Sequence, residues 1–564
     1  MGRRAGPAAG ARGAAVSAPP LVVEGLEVRA GRAGPAVVRG VSLTVPAGGC
    51  LALVGESGSG KSVTALAALG RLPPGLVRTG GRVALLGRNP AALPERALRA
   101  LLAEGTGFVP QDPLAALDPL HPVADQIVAP RCPDGWGRLN EALSAVLGSR
   151  RPGRAERRRV AAALLERMGL RDAEARAGAF PHAFSGGMRQ RALIAAATRH
   201  APALVVADEP TTALDAAVER QVLTLLREAA AEAGAGLLLV SHDLGLVAWF
   251  ADRVAVMREG RIVEEGETEA VFRAPREAYT RALLGASPAL RVRRVAPRPP
   301  PGGRVLLSVE GVSRRYGGVA ALTGATLSVQ EGEFLAVVGE SGSGKSTLGR
   351  LMLGLEAPDE GRVLFAGEDL ARLRPAALRR LRAEMQPVFQ DPLSSLDPRW
   401  SVGRSVAEPL RVAGLRGWPS EREAVAALLE RVGLGGMERR RPSELSGGQR
   451  QRVAIARALA PRPRLIVADE AVSALDVTTQ GRVMALLAAF RREGGAVVFV
   501  THDLRLAAEE ADRVAVVEAG RIVELGPPDA VLGAPSHPYT QRLVGALLPP
   551  RFPLPATLSE EVPS

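Results

Sequence analysis

The stretch Gly55-Glu56-Ser57-Gly58-Ser59-Gly60-Lys61-Ser62 decides the reading of this chain, because it follows the apolar run Leu51-Ala52-Leu53-Val54 and precedes an Ala/Leu-rich stretch of helical period. The same eight residues return as Gly339-Glu340-Ser341-Gly342-Ser343-Gly344-Lys345-Ser346, again after an apolar run. A glycine-rich turn between strand and helix lets backbone N–H groups converge on phosphate oxygens, a lysine reach the terminal phosphates and a serine hydroxyl ligate Mg²⁺. Of the 72 basic side chains, only Lys61 and Lys345 are lysine. A compact ammonium fits among phosphates where a planar guanidinium is too bulky, so both loops are expected to hold a nucleotide's phosphates.

Outward from these loops the chain is one unit written twice. ADRVAVMREGRIVEEG (Ala251 to Gly266) returns as ADRVAVVEAGRIVELG (Ala511 to Gly526), and LLERMGL (Leu164 to Leu170) returns as LLERVGL (Leu428 to Leu434). The expected organisation is a tail over 1–20, a domain over 21–288, a Pro/Arg-rich linker over 289–304, a second domain over 305–550 and a tail over 551–564. Within each copy, short β-rich apolar runs alternate with helical stretches, the pattern of a largely parallel sheet covered by helices. Leu204-Val-Val-Ala-Asp208-Glu209 and Leu465-Ile-Val-Ala-Asp469-Glu470 read as strands ending in paired carboxylates beside the phosphate loop. There Asp208 or Asp469 can hold Mg²⁺, and Glu209 or Glu470 can orient and deprotonate a water.

Both halves resemble the ABC ATPases, whose signature loop is matched by FSGGMRQR (Ser185-Gly186-Gly187-Met188) and by LSGGQRQR (Ser446-Gly447-Gly448-Gln449). Gln111 and Gln390 match the family's Q-loop, Asp215 and Asp476 its D-loop, and His242 and His502 its switch histidine. The resemblance implies an α/β fold of two tandem P-loop, RecA-like domains, each with an N-terminal antiparallel β-subdomain and an inserted helical subdomain. It implies ATP and Mg²⁺ as cofactors, with Ser62, Asp208 and Gln111, or Ser346, Asp469 and Gln390, around the metal. Gln111, Gln390, His242 and His502 would then join the two glutamates in hydrolysis. The signature residues would cap the γ-phosphate held by the opposite half, pairing Lys61 with Ser446 and Lys345 with Ser185. Tyr316 stands where the family places an adenine-stacking aromatic, whereas the first half has Ala30 near that position and no aromatic before Phe108.

Narrower features resemble the oligopeptide/dipeptide importer ATPases: Phe389-Gln-Asp-Pro-Leu-Ser-Ser-Leu-Asp-Pro398, and Ser536-His-Pro-Tyr539-Thr, echoed by Glu277-Ala-Tyr279-Thr. The first half departs at Arg276-Glu-Ala, where His-Pro is expected. The resemblance implies an ATPase subunit at the cytoplasmic face of the membrane, bound peripherally to two different permease subunits and served by a solute-binding protein. Peptides, nickel chelates, glutathione and opines are all candidate cargo. The interval from Gln111 to Ser185 exceeds that from Gln390 to Ser446, the surplus lying mostly around Arg131 to Arg159, so each half is expected to meet its own permease.

Composition bounds these readings. No run reaches the eighteen or so apolar residues that span a bilayer, and the arginine-bearing N-terminus lacks the apolar core of a signal peptide. Only Cys50 and Cys132 are present, too few for a zinc cluster, an iron–sulfur ligand set or a disulfide framework. The formal charge of +13 invites a nucleic-acid reading, but the arginine clusters carry no interleaved aromatics for base stacking. The alternative function class, a soluble tandem ABC ATPase on ribosomes or nucleic acid, is disfavoured by the short Pro-rich linker and the missing zinc ligands.

Overall fold

The computed structural model describes residues 18–128, 153–211, 214, 216–287, 290, 302–390, 395–412, 420–472, 475–547 and 551–552. Most of the linker and of both tails, Asp215 and most of the surplus near Arg131 to Arg159 lie outside the described residues.

In the first half, β1 (Leu21–Ala30) pairs antiparallel with β2 (Ala36–Val45) and with β4 (Leu76–Leu85), giving the order β2-β1-β4. A six-stranded sheet is built from β3 (Cys50–Val54), β5 (Thr106–Val109), β6 (Leu204–Asp208), β7 (Gly236–Ser241), β8 (Arg253–Arg258) and β9 (Arg261–Glu267). Its order is β5-β6-β7-β3-β8-β9, parallel except for β9. Strands buried on both faces must be apolar without interruption, which is why β3 and β6 read as continuous hydrophobic runs. Alternation sorts their side chains. Leu51 and Leu53 turn toward the antiparallel sheet and the Lys61–Ala68 helix, whereas Cys50, Ala52 and Val54 turn toward the helical side.

The second half repeats the plan. Its antiparallel sheet is β11-β10-β13-β14, from β10 (Val305–Tyr316), β11 (Val319–Gln330), β13 (Glu360–Phe365) and β14 (Glu368–Asp369). Its main sheet is β15-β16-β17-β12-β18-β19, from β12 (Phe334–Val338), β15 (Met385–Val388), β16 (Leu465–Asp469), β17 (Ala496–Thr501), β18 (Arg513–Glu518) and β19 (Arg521–Gly526). A separate core of Val402, Val406, Leu410, Leu429, Leu445 and Val453 holds the inserted helical subdomain together.

The halves touch through equivalent elements. The Ala278–Ala286 helix packs on the Val477–Arg492 helix, and the Pro538–Gly545 helix packs on the Ala216–Glu232 helix. Arg220 donates to the carbonyl of Gly545 at 2.6 Å, and the Arg505 guanidinium lies 4.0 Å from the Asp243 carboxylate.

Candidate functional site

The C-terminal end of β3 meets its helix through the Gly55–Ser62 turn, in which Gly55, Gly58 and Gly60 all have positive φ. Gly60, at φ 100, is the N-cap of the Lys61–Ala68 helix, and Gly344, at φ 108, caps Lys345–Met352. A side chain at Gly344 would put its Cβ 2.5 Å from the Ala321 carbonyl oxygen, so glycine is required for the conformation and the space alike.

Lys61 Nζ donates to the carbonyls of Gly55 and Glu56, at 2.8 Å each. Lys345 Nζ does the same to Gly339 at 2.8 Å and Glu340 at 2.7 Å. Burial pushes the Lys61 ammonium down from its ordinary value, while Glu209, Asp208 and Asp476 of the other half hold it up. Two buried hydroxyls in these loops, Ser59 Oγ and Ser343 Oγ, have no hydrogen-bond partner among the described residues. A buried polar atom without a partner is costly, and a phosphate oxygen would satisfy either one.

The strand-end carboxylates sit beside the loops. Ser62 Oγ donates to Asp208 Oδ1 at 3.0 Å, and Ser346 Oγ to Asp469 Oδ1 at 3.1 Å. Burial raises Asp208 to about 6, opposed by the Ser62 hydrogen bond and reinforced by the Glu209 charge. Asp469 is raised for the same first reason. A desolvated carboxylate next to a hydroxyl is a suitable seat for a hard divalent cation. Among the described residues no group of three or more His, Cys, Asp or Glu could hold a metal by itself, so Mg²⁺ there would need other ligands, from phosphate, water and the amide of Gln111 or Gln390.

Glu209 and Glu470 adopt left-handed backbone, φ 45 and φ 47, as their N–H groups bond to Val240 and Val500 across the sheet at 2.9 Å each. The bend accompanies carboxylates that meet Gln111 and His242 in the first half and Gln390 and His502 in the second. Gln111 Nε2 donates to Glu209 at 2.8 Å, and His242 Nδ1 lies 3.0 Å from the other carboxylate oxygen. In the second half Gln390 reaches Glu470 at 2.8 Å, and His502 Nδ1 stands 3.6 Å away. Burial pushes both imidazoles down, but the facing glutamates outweigh it and the net shift is upward. Glu470 is held below the usual range, first by its bond to His502.

Ser185 is the N-cap of the Gly186–Thr198 helix, accepting from Met188 N–H at 3.4 Å. Ser446 caps Gly447–Leu459, and here Gln449 Oε1 also accepts from Ser446 N–H at 2.9 Å, a reciprocal capping box that methionine cannot form in the first half. Gln449 thus serves its own helix end. Gly187 and Gly448 let these helices seat close against Val218 and Thr479, as a Cβ there would fall 2.4 Å and 2.3 Å from those side chains. Asp476 N-caps the Val477–Arg492 helix at 3.0 Å to Thr479 N–H. Tyr316 bonds through its hydroxyl to Glu356, with the Arg314 guanidinium 5.1 Å over its ring.

Tyr279 and Tyr539, which in the sequence mark only the resemblance to the oligopeptide/dipeptide importer branch, each touch a glycine-rich loop: Glu56 N–H donates to Tyr279 Oη at 3.2 Å, and Glu340 N–H to Tyr539 Oη at 2.8 Å. Their recurrence in both halves of a chain with three tyrosines was the available signal.

The profile of the ABC transporter family matches residues 38–212 and 322–473. That of the oligopeptide/dipeptide transporter C-terminal region matches 263–307 and 523–564. The chain is similar to the glutathione import ATP-binding protein GsiA of Salmonella typhimurium, 39% identical over 96% of this chain and 92% of that protein. It is also similar to GsiA of Escherichia coli strain K12, 40% identical over 91% of this chain and 86% of that one. A solved dimeric ATP-binding cassette bound to ADP and Pi is 32% identical, covering 40% of this chain and 99% of its own, with a TM-score of 0.37.

Proposed function

From the premise that this chain belongs to the ABC transporter family, as an ATP-hydrolysing subunit of the importer type, we propose that its two halves form two ATP sites. In each, Lys61 or Lys345 and the loop N–H groups take the β- and γ-phosphates. Ser62 with Asp208, or Ser346 with Asp469, seats Mg²⁺, with Gln111 or Gln390 completing its surroundings. The metal, when bound, neutralises charge on the phosphates. Glu209 or Glu470 accepts the proton of the attacking water, and His242 or His502 holds that carboxylate in place. Ser185-Gly186-Gly187 and Ser446-Gly447-Gly448 approach the γ-phosphate of the opposite site. The observation that carries this reading is the repetition of one constellation in both halves, serine on aspartate and glutamine plus histidine on glutamate.

The cargo we propose is a short peptide or a glutathione-sized solute, on the strength of the relatives' printed function and of this chain's match to the oligopeptide/dipeptide transporter C-terminal region. Partners are two different membrane-spanning permeases, which the chain meets at the cytoplasmic face of the membrane, together with a solute-binding protein. No helix among the described residues is long and apolar enough to cross a membrane. A groove beside the second Q-loop, lined by Phe389, Pro409 and Val412 with Arg379 and the ion-paired Glu408 and Arg457, is the surface offered to a permease segment. Phe389 and Val412 are both exposed there.

Co-purification of the tagged full chain from solubilised membranes tests the proposal. Two membrane-spanning proteins retained with ATP hydrolysis support it, whereas ribosomes or nucleic acid retained in their place contradict it.

A further inference from the structure

The C-terminal region of each half lies outside the chemistry described so far, yet each delivers a phenol to its own phosphate loop. The helices that do so are built differently. Pro538–Gly545 begins with proline at its first position, and His537 Nδ1 accepts from Tyr539 N–H at 3.3 Å. The preceding Ser536 N–H donates to Glu524 on β19 at 2.8 Å. The first half lacks His-Pro, but the equivalent Glu264 on β9 likewise receives the N–H groups of Arg276 and Glu277, at 2.8 Å and 3.2 Å. The same strand glutamate, Glu264 or Glu524, thus anchors the entry to both helices, and both reach one result: the tyrosine hydroxyl accepts from the peptide N–H of the second loop residue, across 223 residues in one half and 199 in the other. An arginine covers each ring, Arg258 over Tyr279 at 4.9 Å and Arg542 over Tyr539 at 5.6 Å.

That N–H belongs to a short segment already held from its other side. Lys61 Nζ bonds the carbonyls of Gly55 and Glu56, and Lys345 Nζ those of Gly339 and Glu340, so phenol and ammonium together fix the start of each loop. The tyrosine helices also face across the molecule, Ala278–Ala286 against Val477–Arg492 and Pro538–Gly545 against Ala216–Glu232. Asp476 caps the first of those partners, and its charge is felt by both Lys61 and Tyr279 of the other half. Each tyrosine helix therefore joins its own phosphate loop to the helix that follows the D-loop of the opposite half.

We propose that Tyr279 and Tyr539 are positioning residues that fix the phosphate loop for ATP and carry its occupancy to the other half through the helices they begin. The inference rests on the reading of Gly55–Ser62 and Gly339–Ser346 as ATP loops. Removing a hydroxyl while keeping the ring leaves packing intact and strips one hydrogen bond from the loop, so the loss falls on nucleotide binding and on communication.

The test measures ATP hydrolysis against ATP concentration for the full chain carrying Tyr279→Phe, Tyr539→Phe or both. The expected result is a KM for ATP raised about three- to tenfold in each single variant, with kcat changed less than about twofold. In the double variant the Hill coefficient for ATP should fall to about 1, with melting of the nucleotide-free chain within about 2 °C of wild type. Thr280→Val and Thr540→Val, buried on the same helices, serve as controls and should leave KM unchanged. Wild-type KM and Hill coefficient in the double variant overturn the inference. So does an equal KM rise in the threonine variants, which would assign the effect to helix packing. If Lys61→Ala and Lys345→Ala weaken ATP binding while the tyrosine variants are silent, only this inference falls; if the lysine variants are silent too, the ATP-loop reading falls with it.

Discussion

Gln111 Nε2 lies 2.8 Å from Glu209 Oε2, while His242 Nδ1 lies 3.0 Å from Oε1 of the same carboxylate. Each oxygen of the proposed base thus has one of the two side chains as its partner. Each oxygen keeps acceptor capacity for a water, and Gln111, which the proposed Mg²⁺ also calls on, is the partner with a second use. The second half repeats the glutamine contact at the same distance.

Replacing Glu209 and Glu470 by Gln keeps the shape and the partners but removes the proton acceptor. Turnover by the double variant should fall about 10²- to 10⁴-fold with ATP affinity retained, the range ascribed to a positioned general base. Steady-state hydrolysis beside equilibrium ATP binding checks this, and full turnover by the double variant would remove both residues from the mechanism.

Lys61→Ala and Lys345→Ala each take a buried ammonium from a phosphate seat. A charge-assisted hydrogen bond contributes about 1.5–3 kcal/mol, so ATP affinity at the altered site should drop about ten- to hundredfold. Titration with a fluorescent ATP analogue reads both sites, and chelation of Mg²⁺ should weaken what binding remains.

Glu219, half-buried where the halves meet, has its carboxyl raised to about 7 by burial and by Asp243, against the opposing pull of Thr211, Arg505 and His502. A raised folded-state value means that its contribution to stability is present below about 4.5, the ordinary value, and is lost as pH climbs through about 7. Glu219→Gln should flatten that part of the pH–stability curve and raise the melting temperature at pH 8 relative to wild type. A variant whose curve runs parallel to wild type over this window would contradict the assignment.

The two ATP sites should differ in affinity. Leu21 pairs with Leu85 and Leu307 with Phe365, and counting the same distance along both strands brings Ala30 into register with Tyr316. Base stacking on an aromatic contributes about 1–3 kcal/mol, so the Lys345 site should bind ATP about tenfold more tightly than the Lys61 site. In full chains with one site disabled by its lysine variant, Ala30→Tyr should tighten the first site and Tyr316→Ala loosen the second. Equal affinities with no loss in Tyr316→Ala would contradict the asymmetry.

The sequence disclosed the sheets and loops because doubly covered strands must be apolar throughout, as at Leu51 to Val54, and because a phosphate turn needs glycine at fixed places. It disclosed the carboxylate ends of β6 and β16 through their repetition. The left-handed turn at Glu209 and Glu470 was not legible, since Asp-Glu after a strand is locally an ordinary exit and the bend is set by a contact with the neighbouring strand. Nor was the Arg505 to Asp243 contact, which has no counterpart because the repeat places Gly245 where the second half has Arg505. The tyrosine contacts with the loops escaped for a related reason: each joins residues about two hundred apart, and only the folded chain shows which N–H the phenol meets.

The central claim, that two ATP sites on this chain drive solute import, is tested most directly by uptake into proteoliposomes holding the full chain with its co-purified membrane proteins. With ATP on the cytoplasmic side and solute-loaded binding protein on the other, the account predicts ATP-dependent accumulation of a short peptide or glutathione. Accumulation should vanish in the Glu209→Gln, Glu470→Gln double variant. Hydrolysis that proceeds without accumulation of any such solute, and that ribosomes or nucleic acid stimulate where membrane partners do not, would contradict it.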